Sequence, residues 1–239
     1  MPSLADLRAH TLEIIPGFFQ VSMYYANVFL IIDKSLTLID TGFKSSLPLV
    51  TKIIHEYRRS LTELKLVVIT HNHLDHIGGL EQLRKLAEVK VAMHCADITS
   101  NSTSIYARGS VFGVISRLPF SGSLKNRLIA DVSQIDIKLE GGEVFDVLGG
   151  MRVINTPGHT PGSISLYFPL HKLLIAGDAI GYRSGRMQLP RKSVSCDMKQ
   201  AAESIRKVSE LDVEILCKGH GKPIMKNAGE NLRSLVDSM

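Results

Sequence analysis

The hexapeptide His-Asn-His-Leu-Asp-His at residues 71–76 places four metal-binding side chains within six residues. Three are imidazoles and one is a carboxylate, a mixture of nitrogen and oxygen donors that suits Zn²⁺. The hexapeptide follows the apolar run 64–70 and precedes a Gly-Gly pair and the helical pattern 80–87. It is therefore predicted to lie at the carboxyl end of a buried strand, where α/β proteins favour ligand sites.

Three further positions carry the same residue types on predicted turns. His159 lies in the sequence Thr-Pro-Gly-His-Thr-Pro-Gly at 156–162, in which two Pro-Gly pairs predict a tight loop. Asp178 follows an apolar run in a Gly-Asp pair, and His220 follows another in Gly-His-Gly. Because each position comes directly before or after a predicted strand, these side chains are candidates for a site shared with the hexapeptide.

The hydrophobic pattern predicts strands and helices in two successive halves. In the first half, strands are predicted at 12–22, 27–33, 36–40, 64–70 and 89–94, and helices at 47–58 and 80–87. In the second half, strands are predicted at 135–139, 143–147, 151–155, 163–168, 172–176 and 213–217, and helices at 198–209 and 227–237. Because no linker separates the halves, we predict one domain over residues 1–239.

The segment 96–131 interrupts this pattern, because glycines and prolines are scattered among apolar and basic residues. A segment of this length without a regular pattern inside a domain is often functional. We predict an insertion with short helices that acts as a lid over an apolar pocket. The alternative is an amphipathic element that packs on the core or on a second subunit.

The composition of the chain argues against nucleic-acid-binding and membrane proteins. The chain has 239 residues with 44% hydrophobic and 21% charged residues, enough for a large core without disulfide bonds. The net charge of +5 is mild and spread out, which suits a small anionic substrate and does not predict nucleic-acid binding. The three cysteines, the polar amino terminus and the lack of a membrane-length apolar run predict a cytoplasmic protein without a membrane partner. A monomer or a homodimer is expected.

These motifs resemble, in order along nearly the whole chain, those of the metallo-β-lactamase fold superfamily. An upstream Leu-Ile-Asp-Thr-Gly pattern that contains Asp40 also matches. The resemblance implies an α/β fold, a four-layer αββα sandwich in which two mixed sheets carry helices on their outer faces. It also implies two divalent metal ions at one edge of the sandwich, with Zn²⁺ favoured and iron or manganese as alternatives.

The resemblance further implies how the ligands divide between the ions. Three histidines would bind the first ion: His71, His73 and His159. A mixed set would bind the second ion: Asp75, His76 and His220. Asp178 would bridge both ions, and Asp40 would orient one ligand imidazole through a hydrogen bond.

The implied activity is hydrolysis of an ester, thioester or lactone by a metal-bridging hydroxide. Zn²⁺ lowers the pKa of bound water from about 15.7 to about 7, which makes hydroxide available at neutral pH. Asp75 and Asp178 would contribute through the metal ions. Tyr182 would donate a hydrogen bond to the substrate carbonyl oxygen, although a packed or exposed loop tyrosine is an equal alternative.

Branches of the superfamily differ in features that this sequence can be compared with. The β-lactamases generally lack a bridging aspartate such as Asp178. Glyoxalase II is similar in its metal motifs, but it has a long helical carboxyl-terminal segment, and here only residues 221–239 follow His220. Acyl-homoserine lactonases carry a tyrosine three residues after the bridging aspartate, a position that is Gly181 here, with Tyr182 next.

Two alternatives on the same scaffold remain from the sequence. A persulfide dioxygenase with one iron would use the ligands of the first ion and leave the second site empty. Because all residues for the second ion are present, hydrolysis is favoured. A phosphodiesterase is the other alternative, since a bridging hydroxide also attacks phosphorus.

Overall fold

Two large mixed sheets organise this computed structural model, which describes residues 11–22, 26–99 and 135–239. The first sheet contains seven strands in chain order: β1 Thr11–Ile15, β2 Phe18–Ser22, β3 Asn27–Ile32, β4 Leu36–Ile39, β5 Leu64–Ile69, β6 Lys90–His94 and β7 Ile137–Leu139. Strands β1 to β4 pair antiparallel, and strands β4 to β7 pair parallel.

The second sheet has the strand order β14-β11-β10-β9-β8. Its strands are β8 Val144–Phe145, β9 Met151–Asn155, β10 Ile164–Phe168, β11 Leu173–Ile175 and β14 Ile215–Cys217. Only β11 and β14 pair parallel, and the other neighbours are antiparallel. Strands β12 Gly181–Arg183 and β13 Arg186–Gln188 form a separate hairpin.

The described α-helices follow or connect these strands. They are α1 Leu47–Glu56, α2 Leu74–Ile77, α3 Leu80–Leu86, α4 Cys95–Thr99, α5 Met198–Ser209 and α6 Ala228–Asp237. Short 3-10 turns occupy Lys44–Ser46, Leu61–Glu63, Pro169–His171 and Lys192–Val194. None of these described helices is long and apolar enough to cross a membrane.

Apolar side chains between the two sheets form the central core. Along β10, Leu166 and Phe168 point into this core, whereas Tyr167 points to the opposite face, as the two-residue period of a strand requires. Phe18 from the first sheet contacts Phe168 from the second, with ring centroids 5.8 Å apart and nearly perpendicular rings. Burial of each such side chain contributes about 1.5–3 kcal/mol, so this layer holds the sheets face to face.

The outer faces of both sheets are covered by helices. Apolar residues of α1 and α3 pack on the first sheet, among them Val50, Ile54 and Leu83. Helices α5 and α6 pack on the second sheet through residues such as Ile205 and Leu232. The order of layers is therefore helix, sheet, sheet, helix, which confirms the predicted αββα sandwich.

The predicted elements are present, and two differences affect the site. The sequence pattern predicts a loop over 71–76, whereas the helical turn α2 begins at Leu74. It forms because the extended His73 accepts the backbone N–H groups of His76 and Ile77 on its carbonyl oxygen, at 2.9 and 3.0 Å. The β12–β13 hairpin is absent from the prediction, because Tyr182 and its neighbours lack a long alternating pattern.

The predicted lid at 96–131 lies almost entirely outside the described residues. Its first residues belong to helix α4, which directly continues β6. The prediction of a single domain over residues 1–239 stays a prediction.

Candidate metal centre

The predicted site residues lie where strands of both sheets end. Asp40 directly follows strand β4, and His71 comes two residues after the parallel strand β5. Asp178 and His220 come three residues after the parallel strands β11 and β14. Backbone hydrogen bonds join these ends across the two sheets, from Ile164 N–H to the Thr70 oxygen and from Asn27 N–H to the Gly219 oxygen, at 3.0 and 2.7 Å. The loops are thereby held at one edge of the sandwich.

The first set of side chains is a three-histidine group formed by His71, His73 and His159. Its possible ligand atoms lie within 4.8 Å of one another, and all three side chains are buried. Nε2 of His159 lies 2.9 Å from Nδ1 of His73, although 86 residues separate them. The ring centroids are 4.5 to 4.8 Å apart. The fold thus brings a distant histidine beside the first two histidines of the hexapeptide.

The second set is a mixed group formed by Asp75, His76 and His220, and its possible ligand atoms also lie within 4.8 Å of one another. Oδ2 of Asp75 lies 3.9 Å from Nε2 of His76 and 3.6 Å from Nε2 of His220. His76 is fully buried, whereas the side chain of His220 is 46% exposed. This group therefore connects the interior with the solvent.

Asp178 lies between the two groups. Its Oδ2 is 3.5 Å from Nε2 of His159 and 3.0 Å from Nε2 of His220, and its Oδ1 is 3.6 Å from Nε2 of His76. Asp178 also forms a third possible ligand set with His71 and His76. One carboxylate thus faces histidines of both groups, the position that a bridging ligand would occupy.

Asp40 holds one histidine of each group through a buried hydrogen-bond network. Its Oδ2 accepts a hydrogen bond from Nδ1 of His76 at 2.7 Å and another from the Thr70 hydroxyl at 2.8 Å. Because the Thr70 hydroxyl donates to Asp40, its oxygen is left to accept from Nδ1–H of His71, 3.1 Å away. Both imidazoles therefore keep Nε2 available for the site.

The backbone at Asp40 adopts a left-handed conformation, with φ of 59°. Aspartate and asparagine tolerate this region better than most residues, so the position favours them on local grounds as well. The Thr70 backbone N–H donates to Oδ1 of Asp40 at 2.8 Å, which fixes the carboxylate at the end of β5.

Ser195 plays a similar part for His159. Its hydroxyl donates to the Arg191 carbonyl at 2.9 Å, so its oxygen can accept from Nδ1–H of His159 at 3.1 Å. Sequence reasoning missed both Thr70 and Ser195. The threonine directly before the hexapeptide was a usable signal, whereas Ser195 lies 36 residues from His159 and no local pattern marks it.

Burial and neighbouring charges set the protonation of the cluster. Burial lowers the pKa values of His71 and His73 well below the ordinary value, and neighbouring imidazoles lower both further. Burial also lowers the pKa of His159, against the opposing effect of Asp178. Neutral imidazole is the form that binds metal ions, so this group is suited to them.

Neighbouring carboxylates have the larger effect on the pKa of His76. Burial lowers the pKa of His76, but the carboxylates of Asp40 and Asp178 outweigh it and raise the pKa to about 10. Burial raises the pKa of Asp178, but His76 and His220 outweigh it and bring the pKa well below its ordinary value. The buried carboxylates therefore require a positive charge beside them, and a bound cation would take the place of the His76 proton.

Buried atoms in the cluster test whether a metal ion fits. Among the described residues, no hydrogen-bond partner is present for Nε2 of His71, Nε2 of His76 or Oδ1 of Asp178. Buried polar atoms are normally satisfied, so these three converging atoms fit a ligand role. The five imidazoles and two carboxylates together match the nitrogen and oxygen donors that divalent zinc, iron or manganese accept.

Tyr182 lies in β12, a few residues after Asp178, and its ring is half exposed. Its hydroxyl donates to the Gly185 carbonyl in the same hairpin at 2.9 Å. The Lys218 ammonium lies 4.3 Å from the ring centroid, two residues before His220. The structure thus places Tyr182 on the hairpin that follows Asp178, with its hydroxyl bonded within that hairpin.

Comparisons with known proteins agree with this architecture. The profile of the Metallo-beta-lactamase superfamily matches residues 21–220. The probable metallo-hydrolase YflN of Bacillus subtilis strain 168 is 30% identical over 256 residues, which cover 98% of this chain and 94% of that protein. A hydroxyacylglutathione hydrolase of Cereibacter sphaeroides is 29% identical over 160 residues, which cover 66% of this chain and 48% of that protein.

A solved structure shows the same fold. The metallo-beta-lactamase family protein TTHA1429 from Thermus thermophilus superposes with a TM-score of 0.71 at 22% identity, over 95% of this chain and 80% of that chain. The superfamily profile covers strands of both sheets and every residue of the cluster. The chain therefore belongs to the metallo-β-lactamase superfamily.

Proposed function

We propose that this protein is a dinuclear metal-dependent hydrolase of a small carboxylic ester, thioester or lactone. The observation that carries the proposal is the convergence of the three-histidine group and the mixed group on Asp178. The three-histidine group would hold one ion, the mixed group would hold the other, and Asp178 would contact both. Zn²⁺ is the favoured ion, because borderline divalent zinc accepts both imidazole and carboxylate ligands.

The exposure of the cluster supports a catalytic site over a structural one. Structural zinc sites are closed by protein ligands, whereas catalytic sites keep an open position. The three-histidine group is buried, but His220 is half exposed, and the side chains of Asp75 and Asp178 are each 15% exposed. A substrate would therefore approach from the side of the mixed group.

The residues of the site would have different roles in such a reaction. Two bound divalent ions would supply a nucleophile at neutral pH and polarise the substrate carbonyl oxygen. Asp40, Thr70 and Ser195 would keep the Nδ1 atoms of their partner histidines engaged, so that each Nε2 points into the site. Tyr182, on the hairpin beside Asp178, would donate its hydroxyl to the carbonyl oxygen after giving up its bond to Gly185.

The substrate class has support from one of the relatives. The name hydroxyacylglutathione hydrolase describes cleavage of an acyl derivative of glutathione, and that relative shares 160 aligned residues with this chain. Hydrolysis at an acyl carbon is therefore favoured for this protein, over hydrolysis at phosphorus.

Metal analysis and a substrate panel test this proposal. The zinc-loaded protein would be assayed with an aryl ester, a homoserine lactone, a glutathione thioester, a cephalosporin and a phosphodiester. Two zinc ions per chain with turnover of an ester, thioester or lactone is the expected result. One iron per chain with oxygen consumption would instead indicate a dioxygenase, and turnover of the phosphodiester alone would indicate a phosphodiesterase.

A further inference from the structure

Asp97 is a buried carboxylate that lies outside the seven-residue cluster. It belongs to helix α4, and none of its surface is exposed. Its Oδ2 accepts hydrogen bonds from the Asn72 backbone N–H at 2.9 Å and from the Thr160 hydroxyl at 2.7 Å, and its Oδ1 accepts from the Gly162 backbone N–H at 2.6 Å. The Asn72 side-chain amide also donates to the Asp97 carbonyl at 3.1 Å. Asp97 thus contacts two loops that are distant in sequence.

Both loops carry members of the three-histidine group. Asn72 lies between His71 and His73 in the hexapeptide, and Thr160 directly follows His159. We infer that Asp97 is a positioning residue that fixes these two loops against each other, and so sets the geometry of the three-histidine group. This inference rests on the proposed metal-dependent function, and it assigns to Asp97 a larger effect on the ion of the three-histidine group than on the other ion.

The surroundings of Asp97 explain how a buried carboxylate is tolerated there. Among the ion pairs that the described residues form, none includes Asp97. Its charge is instead stabilised by two backbone N–H groups and a hydroxyl, and hydrogen bonds to an ionised acceptor are short and strong. A neutral side chain of the same shape would lose this arrangement, because an amide cannot accept on both ends.

Gly162 shows that the contact is close. A Cβ atom at position 162 would lie 2.6 Å from the Asp97 backbone nitrogen and 2.7 Å from its Cγ, nearer than side chains approach. The second Pro-Gly pair of the loop at 156–162 is therefore needed for the loop to reach Asp97. Metal–ligand distances tolerate shifts of only about 0.2 Å, so loosening this contact would reach the ions.

The mixed group is held by different contacts. The Asn27 side-chain amide donates to the carbonyls of Lys218 and Gly221, at 2.9 and 2.8 Å, and so fixes the loop that carries His220. His76 is held by Asp40. Asn72 lies in the same hexapeptide as Asp75 and His76, but the hydrogen bonds of the Asp97 carboxylate reach neither the helical turn Leu74–Ile77 nor the loop at 218–221. This asymmetry makes the inference testable.

The experiment measures zinc affinity in two backgrounds, with a chromophoric chelator as competitor. His220→Ala leaves the three-histidine group as the stronger site, and His159→Ala leaves the mixed group as the stronger site. Asp97→Asn should weaken zinc binding by about 10- to 100-fold in the His220→Ala background. The loss in the His159→Ala background should be clearly smaller, because His76 is held by Asp40 and His220 by the loop that Asn27 fixes. Asp146→Asn, at an exposed carboxylate paired with Lys34, is the matched control and should change neither affinity.

A smaller change guards against a variant that fails to fold. Thr160→Val removes one hydroxyl donor to Asp97 and nearly preserves volume, and it should weaken zinc binding in the His220→Ala background. Thr160→Ser keeps the hydroxyl and should restore the affinity, which a purely steric role for this residue would not predict. Circular dichroism and thermal melting would verify that each variant is folded.

The outcomes separate the two proposals. If Asp97→Asn and Thr160→Val weaken both backgrounds equally, or weaken neither, the inference is wrong, even if the enzyme hydrolyses esters. If the wild type binds two ions and shows the expected selective loss, but turns over no substrate of the panel, the inference stands and the proposed hydrolase does not.

Discussion

The three-histidine group and the mixed group lie side by side, yet they are built differently. The first consists of buried imidazoles: Thr70 and Ser195 contact two of the rings, and Asp97 bonds to the two loops that carry them. The second combines a carboxylate with a buried and a half-exposed histidine. One side of the cluster is therefore closed, and the other side is open to solvent.

This difference indicates how the proposed two-ion site would divide its tasks. A closed group of neutral imidazoles suits tight retention of an ion, because nothing in it has to move when a substrate binds. An open group with a partly exposed ligand suits exchange of water and substrate. Asp178 faces histidines of both groups, so a change there should disturb both tasks.

Asp178→Asn should have the largest effect, because it removes the charge that both groups share. Metal ions supply several kcal/mol of transition-state stabilisation, so we expect turnover to fall by on the order of 10²- to 10³-fold. Steady-state kinetics on the best substrate of the panel, with metal content measured in parallel, would test this. Near-normal turnover with two ions bound would contradict the bridging role of Asp178.

Asp40→Asn should come next, and it should affect both groups. Asparagine tolerates the left-handed backbone of this position. Its amide has no negative charge and only one acceptor oxygen, so it cannot accept from His76, the Thr70 hydroxyl and the Thr70 backbone N–H together. We expect zinc affinity, measured by chelator competition, to fall by about 10- to 100-fold for each ion. A loss confined to one ion would contradict a shared role for this carboxylate.

Thr70→Val separates the two arms of the Asp40 network. It removes only the hydroxyl between Asp40 and His71, so the loss should appear in the His220→Ala background and be absent in the His159→Ala background. Equal losses in the two backgrounds would show that the Thr70 hydroxyl acts on the stability of the whole site, and not specifically on His71.

Tyr182→Phe should affect turnover and leave metal binding unchanged. If its hydroxyl contacts the substrate oxygen, kcat should fall by about tenfold or more, with two ions still bound. Tyr57→Phe, at another half-exposed tyrosine in the turn after α1, is the matched control. An unchanged kcat would mean that Tyr182 only closes its hairpin through Gly185.

Ser195→Ala should have the smallest effect. Ser195 is partly exposed, so water can replace its hydroxyl as the acceptor for Nδ1 of His159. We expect less than about a tenfold loss of zinc affinity, confined to the three-histidine group. A loss as large as that for Asp97→Asn would show that the side-chain partner of His159 matters as much as the hydrogen bonds of Asp97 with the two loops.

The order of strands and helices along the chain and the residues of the cluster could be predicted from the sequence, because apolar runs and the turns after them are local signals. The hexapeptide and the Gly-Asp and Gly-His pairs each follow such a run. The contributions of Asp97 and Ser195 could not be predicted from the sequence, because each depends on a contact between residues far apart in the chain. The helical turn at Leu74–Ile77 was missed because it is a single turn, too short for a periodic pattern.

The hairpin around Tyr182 shows a different limit. Its strands, Gly181–Arg183 and Arg186–Gln188, are three residues each, and only Met187 among their side chains is buried. A hairpin of this size is stable through the core that it packs on, which the sequence does not display.

The placement of ligands at strand ends of both sheets has a consequence for the lifetime of the protein. The cluster draws on residues from His71 to His220, so no half of the chain contains a complete site, and an ion would find its full set of ligands only when both sheets have docked. Bound ions would therefore stabilise the finished fold, by an amount that grows with free metal concentration. Metal supply would then govern how often the chain opens to proteases, as well as how fast it turns over substrate.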